Sequence, residues 1–334
     1  MSHLVTRRMT LRMLALAAVL AASAGANAAN YDPRIAWTSY EGKGDTIYLA
    51  NADGSLKVAV YKTNKTIISG LDLGDGRVAF TESGVLKVFS YTVTANGIVA
   101  SAPVALDTAG APDQGAARPD FSPDGSRLLY LRWVQNPVYA NSGYQEIRVV
   151  ASDGSAPPKV LVTAADITDT RNMVSPRWLN GNEFAFGRGG GSPYWASVML
   201  ASLDAGMNLT APPLQLFANT DPAFTSEGLV GWEDFDISHT GPSIVLSCNT
   251  ARTGFPPRAF MQYDLIEGTF NKRFSDYGWN GHFQAGDASI VYNHLPTSGG
   301  SVGNAVYRWV AATNRSTAIS GKGGQAVRYV DARP

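Results

Sequence analysis

The chain has 334 residues, with 27 basic and 27 acidic side chains, four histidines and one cysteine. A lone cysteine, Cys248, excludes an internal disulfide, so stability has to come from core burial. The balanced charge lacks the basic excess that nucleic acid or an anionic membrane surface would attract.

The N-terminal stretch reads as a targeting segment. Arg7, Arg8 and Arg12 precede an Ala/Leu-rich run from Met13 to Ala24, and Ala26-Asn27-Ala28 supplies small residues for cleavage. The run is too short and too weakly apolar for a spanning helix, so residues 1–28 are expected to be a Sec signal peptide. Thr6-Arg7-Arg8-Met9-Thr10-Leu11-Arg12 also resembles a twin-arginine signal, with Thr10 where that signal usually carries Phe. No cysteine lies near the cleavage site, so no lipid anchor is expected. Cleavage removes three arginines and no acids, leaving 24 basic and 27 acidic side chains and a charge of about −3. Residues 29–334 are expected to be a periplasmic or secreted monomer, with no integral membrane segment and no nucleic-acid partner.

The rest of the chain is repetitive, and its glycines and sparse helical periodicity predict short strands and turns. Six units can be anchored on a second apolar strand, in order at Ile35-Ala36-Trp37, Val78-Ala79-Phe80, Leu128-Leu129-Tyr130, Phe184-Ala185-Phe186, Ile244-Val245-Leu246 and Ile290-Val291-Tyr292. Third strands follow, as in Ile47-Tyr48-Leu49 or Ile147-Arg148-Val149, and then turns at Asp53-Gly54, Asp153-Gly154 and Glu267-Gly268. The first strand of each unit is marked by Leu71, Phe121, Trp178, Ile237, Phe283 and Tyr329, spaced by 46 to 59 residues. That period fits four-stranded propeller blades. Tyr329 stands at the C-terminus with no room for three further strands, while the mature chain starts on a second strand. A C-terminal strand is therefore expected to join the N-terminal blade and close the ring. The fold class is all-β, a six-bladed β-propeller of four-stranded antiparallel blades.

The clearest repeat is Pro119-Asp120-Phe121-Ser122-Pro123-Asp124-Gly125, where proline fixes φ, aspartate can bond the backbone two residues on and glycine accepts positive φ. With Glu146 to Gly154 after it, and with Ile47 to Gly54 in the first blade, it resembles the PD40 (WD40-like) repeat of TolB-like six-bladed propellers. The resemblance covers essentially all of the mature chain. It implies the propeller fold and a place among export-system scaffolds, peptidase propellers and carbohydrate lyases.

In a propeller, the loops before the first strand and those between the second and third share one face around the channel. On that face the sequence predicts long aromatic loops at 132–145, 187–195, 249–258 and 293–304. Candidate binding residues are Arg132, Trp133, Tyr139, Arg188, Tyr194, Trp195, Arg252, Phe255, His282 and His294. One residue before each first-strand marker stand Gly70, Asp120, Arg177, Asp236, His282 and Arg328, a pattern expected to tie neighbouring blades. The histidines His239, His282 and His294 are not clustered as a metal needs, so no metal or cofactor is expected. Gly190-Gly191-Ser192 lacks the strand-to-helix elbow of a hydrolase nucleophile, and Cys248 reads as a small buried filler. No catalytic residue is assigned. The expected function is non-enzymatic binding or scaffolding of an envelope protein or glycan. The alternative is a carbohydrate-active lyase or hydrolase that uses the same loop face.

Overall fold

A computed structural model describes residues 30–64, 68–108, 115–135, 143–163, 166, 173–189, 195–238, 240–250, 258–284, 287–294, 305–320 and 326–333. The first blade holds β1 (Ile35–Tyr40), β2 (Asp45–Ala50) and β3 (Val58–Lys62). The second holds β4 (Ile68–Gly74), β5 (Arg77–Glu82), β6 (Val85–Thr94), β7 (Gly97–Ala100) and β8 (Val104–Asp107), with β6 pairing both β7 and β8. The third is β9 (Ala116–Phe121), β10 (Arg127–Gln135), β11 (Gly143–Ala151) and β12 (Lys159–Val162). The fourth is β13 (Met173–Trp178), β14 (Glu183–Gly189), β15 (Trp195–Ser202) and β16 (Leu214–Ala218). The fifth is β17 (Leu229–Ile237), β18 (Ser243–Thr250), β19 (Arg258–Asp264) and β20 (Thr269–Asp276). The sixth is β21 (Gly278–Gln284), β22 (Ser289–His294), β23 (Ala305–Val310) and β24 (Arg315–Ala318). Last comes β25 (Ala326–Ala332), which pairs antiparallel with β1 and completes the first blade.

The second strands explain the architecture. Their residues alternate in direction, yet both directions are buried, so each strand reads as one apolar run. Leu128 and Tyr130 pack toward the second blade with Ala79, Leu86 and Val88. Leu129 and Leu131 pack toward the fourth with Trp178, Phe184 and Phe186. Among the described residues the core is accordingly six clusters, one at each junction between neighbouring blades. Cys248 is buried in the cluster between blades four and five. Burial pushes its thiol up, so it stays protonated and packs as a small apolar group.

Pairing corrects two of the first-strand markers. Phe121 lies opposite Leu128, and the same position opposite the second strand is held by Leu73 in blade two and Ala332 in blade one. Leu71 and Tyr329 sit two and three residues too early. Every first strand carries a register shift, and within a strand a slip of two residues returns to the same face. Apolar pattern alone therefore does not separate Leu71 from Leu73.

At the closing strand, Trp37 lies opposite Val330 and Ala36 opposite Asp331, with Val327 and Val330 buried. Deleting residues 325–334 would expose the whole edge of β1 and remove both valines. Truncating one large buried apolar side chain costs roughly 2–5 kcal/mol, out of ~5–15 kcal/mol for a typical domain. The expected result is aggregation or a melting temperature lowered by well over ten degrees in a thermal scan. An unchanged Tm would overturn the closure.

Candidate functional site at the channel mouth

The innermost strand of each blade has one edge with no further strand to pair. The residue one before each corrected marker faces that problem: Asp72, Asp120, Arg177, Asp236, His282 and Asp331, all buried. Asp72 and Asp331 thus replace Gly70 and Arg328 of the sequence pattern. Four carboxylates accept a backbone N–H from the next blade: Asp331 from Leu73 at 2.7 Å, Asp72 from Phe121 at 2.7 Å, Asp120 from Trp178 at 2.7 Å and Asp236 from Phe283 at 2.9 Å. Between blades four and five the polarity reverses, and Arg177 Nε donates to the Phe235 carbonyl at 3.4 Å. Between blades six and one, His282 Nδ1 lies 3.0 Å from Asp331 and 3.7 Å from Asp236, an ion-pair geometry. Arg177 also bonds Asp120 at 3.1 Å and lies 3.9 Å from Asp236.

Above this ring, toward the leading ends of the first strands, the channel opens into a cavity of about 290 Å³. It is lined by Arg118, Glu233, Trp279, Asn280, Val327, Arg328 and Tyr329, which come from blades three, five, six and one. Six of these occupy the same two repeat positions, three and four residues before the corrected markers. Those positions lie at the bulge of the first strand, where Arg118 and Asn280 take φ of +53° and +49°. In blade two the equivalent residue is Gly70, and a Cβ there would stand 2.7 Å from the Arg118 backbone nitrogen. Arg118 pairs with Asp234, which also accepts the Ser175 hydroxyl, and its guanidinium lies 5.7 Å over the Tyr329 ring. Glu233 is neutralised by Arg258 at 2.5 Å, and that guanidinium lies 5.5 Å over Trp279. Burial opposes the charge on Asp234, but Arg118, Arg177 and His282 hold its carboxyl below the usual range.

The cavity shares its face with the long second-to-third loops, because Ala116 pairs with Arg132, Met173 with Arg188 and Gly278 with His294. The individual candidates fare differently. Arg132 is not a loop residue: the β10–β11 hairpin continues to Gln135, and Arg132 is buried 3.4 Å from Asp107 of blade two. Trp133 and Arg188 are half-buried strand residues near the same rim. Trp195 begins β15 and pairs with both Gly189 and Trp232, bridging blades four and five. His282 belongs to the buried ring. His294 stacks on Tyr307 with centroids 4.1 Å apart, and its Nε2 lies 3.4 Å from Asp276. Tyr139, Tyr194, Arg252, Phe255 and His239 lie outside the described residues. Sequence reasoning missed Arg118, Glu233, Trp279 and Asn280. The signal that would have found them is their shared place in the repeat.

The ring has a pH signature. Burial opposes the charge on His282, yet Asp236 and Asp331 raise its pKa to about 9, above the ordinary 6.5. Its contribution is therefore fully present below pH 6.5 and is lost as pH rises through 9, a change of about 3 kcal/mol. Burial, with Asp331 and Asp120 nearby, also holds the Asp72 carboxyl well above the usual range, and its ionisation acts in the same direction. Thermal scans from pH 6 to 10 are expected to show Tm falling by several degrees, mostly between pH 6.5 and 9 and levelling off above that. In His282→Gln the decline is expected to flatten. An equally steep fall in that variant would overturn the assignment.

No protein-family model and no curated protein sequence matches the chain. Solved structures do. TolB from Acinetobacter baumannii is 16% identical with a TM-score of 0.64, over 90% of this chain and 67% of that one. A TolB-type protein of Agrobacterium tumefaciens is 14% identical with a TM-score of 0.55, over 91% and 99%. A puromycin hydrolase is 13% identical with a TM-score of 0.52, over 88% of this chain and 55% of the hydrolase. At such identities the likeness is one of fold. By fold, this chain is a TolB-like six-bladed β-propeller.

Proposed function

We propose that the chain is an exported, non-enzymatic binding propeller whose partner, an envelope protein or glycan, docks at the channel mouth. The observation that carries this reading is the cavity itself. Three blades contribute aromatic and guanidinium side chains to one concave spot, a fourth adds Glu233, and rigid inner strands hold them there. Aromatic and arginine anchors in a concavity dominate measured binding energies. Trp133 and Arg188 supply a rim to the same face, and the remaining loop candidates belong to it by sequence. Ionisable groups deeper in the channel are engaged in tying blades, which leaves binding rather than proton transfer to the mouth.

Two measurements test it. In pull-downs from the host envelope fraction and on a glycan array, Trp279→Ala and Trp133→Ala are expected to lower retained ligand by about tenfold or more. Their melting temperatures are expected to stay close to that of the parent protein. Lost stability with intact binding would show that these side chains only pack. For export, N-terminal sequencing of the native protein is expected to begin near Ala29. Protein that retains Met1 would contradict it.

A further inference from the structure

The charges around the channel-mouth cavity are unequally satisfied. Arg118 is held by the buried Asp234, and Glu233 by Arg258 at 2.5 Å. Arg328 is held loosely: its side chain is 37% exposed, and its guanidinium lies 3.7 Å from Asp45 and 5.5 Å over the Tyr40 ring. The charge most open to exchange at this site is therefore positive, on a group whose planar fork matches a carboxylate. Beside it stand the flat rings of Trp279 and Tyr329 and the carboxamide of Asn280. A volume of about 290 Å³ lies at the small end of ligand pockets, ~300–1,000 Å³. It suits one ring-sized unit of a longer chain.

We infer that the cavity binds a carboxylated sugar residue, a uronate unit of an acidic oligosaccharide, with its carboxylate on Arg328 and its ring against Trp279 and Tyr329. The inference rests on the binding role proposed for this face. Three features of the ligand match three features of the site. A uronate carries one carboxylate for a single available guanidinium. Its C–H face is apolar and fits an aromatic wall. Its hydroxyls can both donate to and accept from the Asn280 amide. A neutral sugar would leave Arg328 unused, whereas an acidic peptide would use Arg328 but offer no rigid ring to the aromatic wall.

The test is calorimetric titration of the signal-free protein with four probes. Two are uronate tetrasaccharides, one from hyaluronan and one β-linked mannuronate. The others are the neutral chitotetraose and N-acetyl-tetra-aspartate. At least one uronate is expected to bind ten or more times tighter than chitotetraose. Arg328→Gln is expected to remove that preference without shifting Tm, and Arg328→Lys to restore part of it. Equal affinity for charged and neutral sugars, no binding of either uronate, or preference for the acidic peptide would each overturn the uronate assignment. These failures separate from failure of the binding face. If no uronate binds while Trp279→Ala still loses the host ligand, the face stands and the ligand class falls. If Trp279→Ala and Arg328→Gln both keep the host ligand, the face itself falls.

Discussion

The structure depends on a carboxylate that accepts a backbone N–H from the neighbouring blade. The innermost strand of a propeller blade is an edge, so its inward N–H groups have no ladder partner, and an unpaired buried N–H is costly. Asp331, Asp72, Asp120 and Asp236 each supply the missing acceptor at a blade junction. The solution brings its own difficulty, since it gathers buried carboxylates around one narrow channel. Like charges in a low-dielectric interior need compensation. Arg177 and His282 provide it at the two ring positions where aspartate is absent, and each also serves its own junction.

With the ring tied, the leading ends of the first strands are free to carry chemistry. Their bulges place non-glycine residues in the left-handed region at Arg118, Ser175 and Asn280, a conformation that costs of order 1–3 kcal/mol for each residue. The surrounding ties hold them there. The effect is to turn the side chains of Arg118 and Asn280 toward the cavity, where an unbulged strand would continue its plain alternation. Gly70 shows the reverse requirement: at the same repeat position in blade two the backbone of blade three comes so close that a Cβ has no room.

The apolar core and the polar channel divide the labour. Six inter-blade clusters supply non-directional burial, which fixes how blades stack but not their register. The aspartate ties are directional and set how far one first strand sits along the next. Arg132 belongs to this second group. Its charge is spent against Asp107 across the junction of blades two and three, together with the Tyr130 hydroxyl that donates to the same carboxylate at 2.8 Å.

By itself, the sequence determined the blade number, the four-strand repeat and the closure, because these depend on local features that leave marks in the residue order. Turn residues such as Asp124-Gly125 and apolar runs such as Leu128 to Leu131 are local, and the orphan strand at Ala326 to Ala332 is legible once the others are counted. It also showed that acids and bases recur just before the first-strand markers, with the tying role they have. The register in blades one and two was not legible, since a period-two strand does not reveal a slip of two residues and a bulge leaves no mark in composition. Only the tertiary structure placed Asp72 and Asp331 in the ring, took Arg132 out of the loops, and brought Arg118, Glu233, Trp279, Asn280, Arg328 and Tyr329 around one cavity. Those six lie up to 211 positions apart, from Arg118 to Tyr329. What joins them is a channel that exists only after six blades have closed.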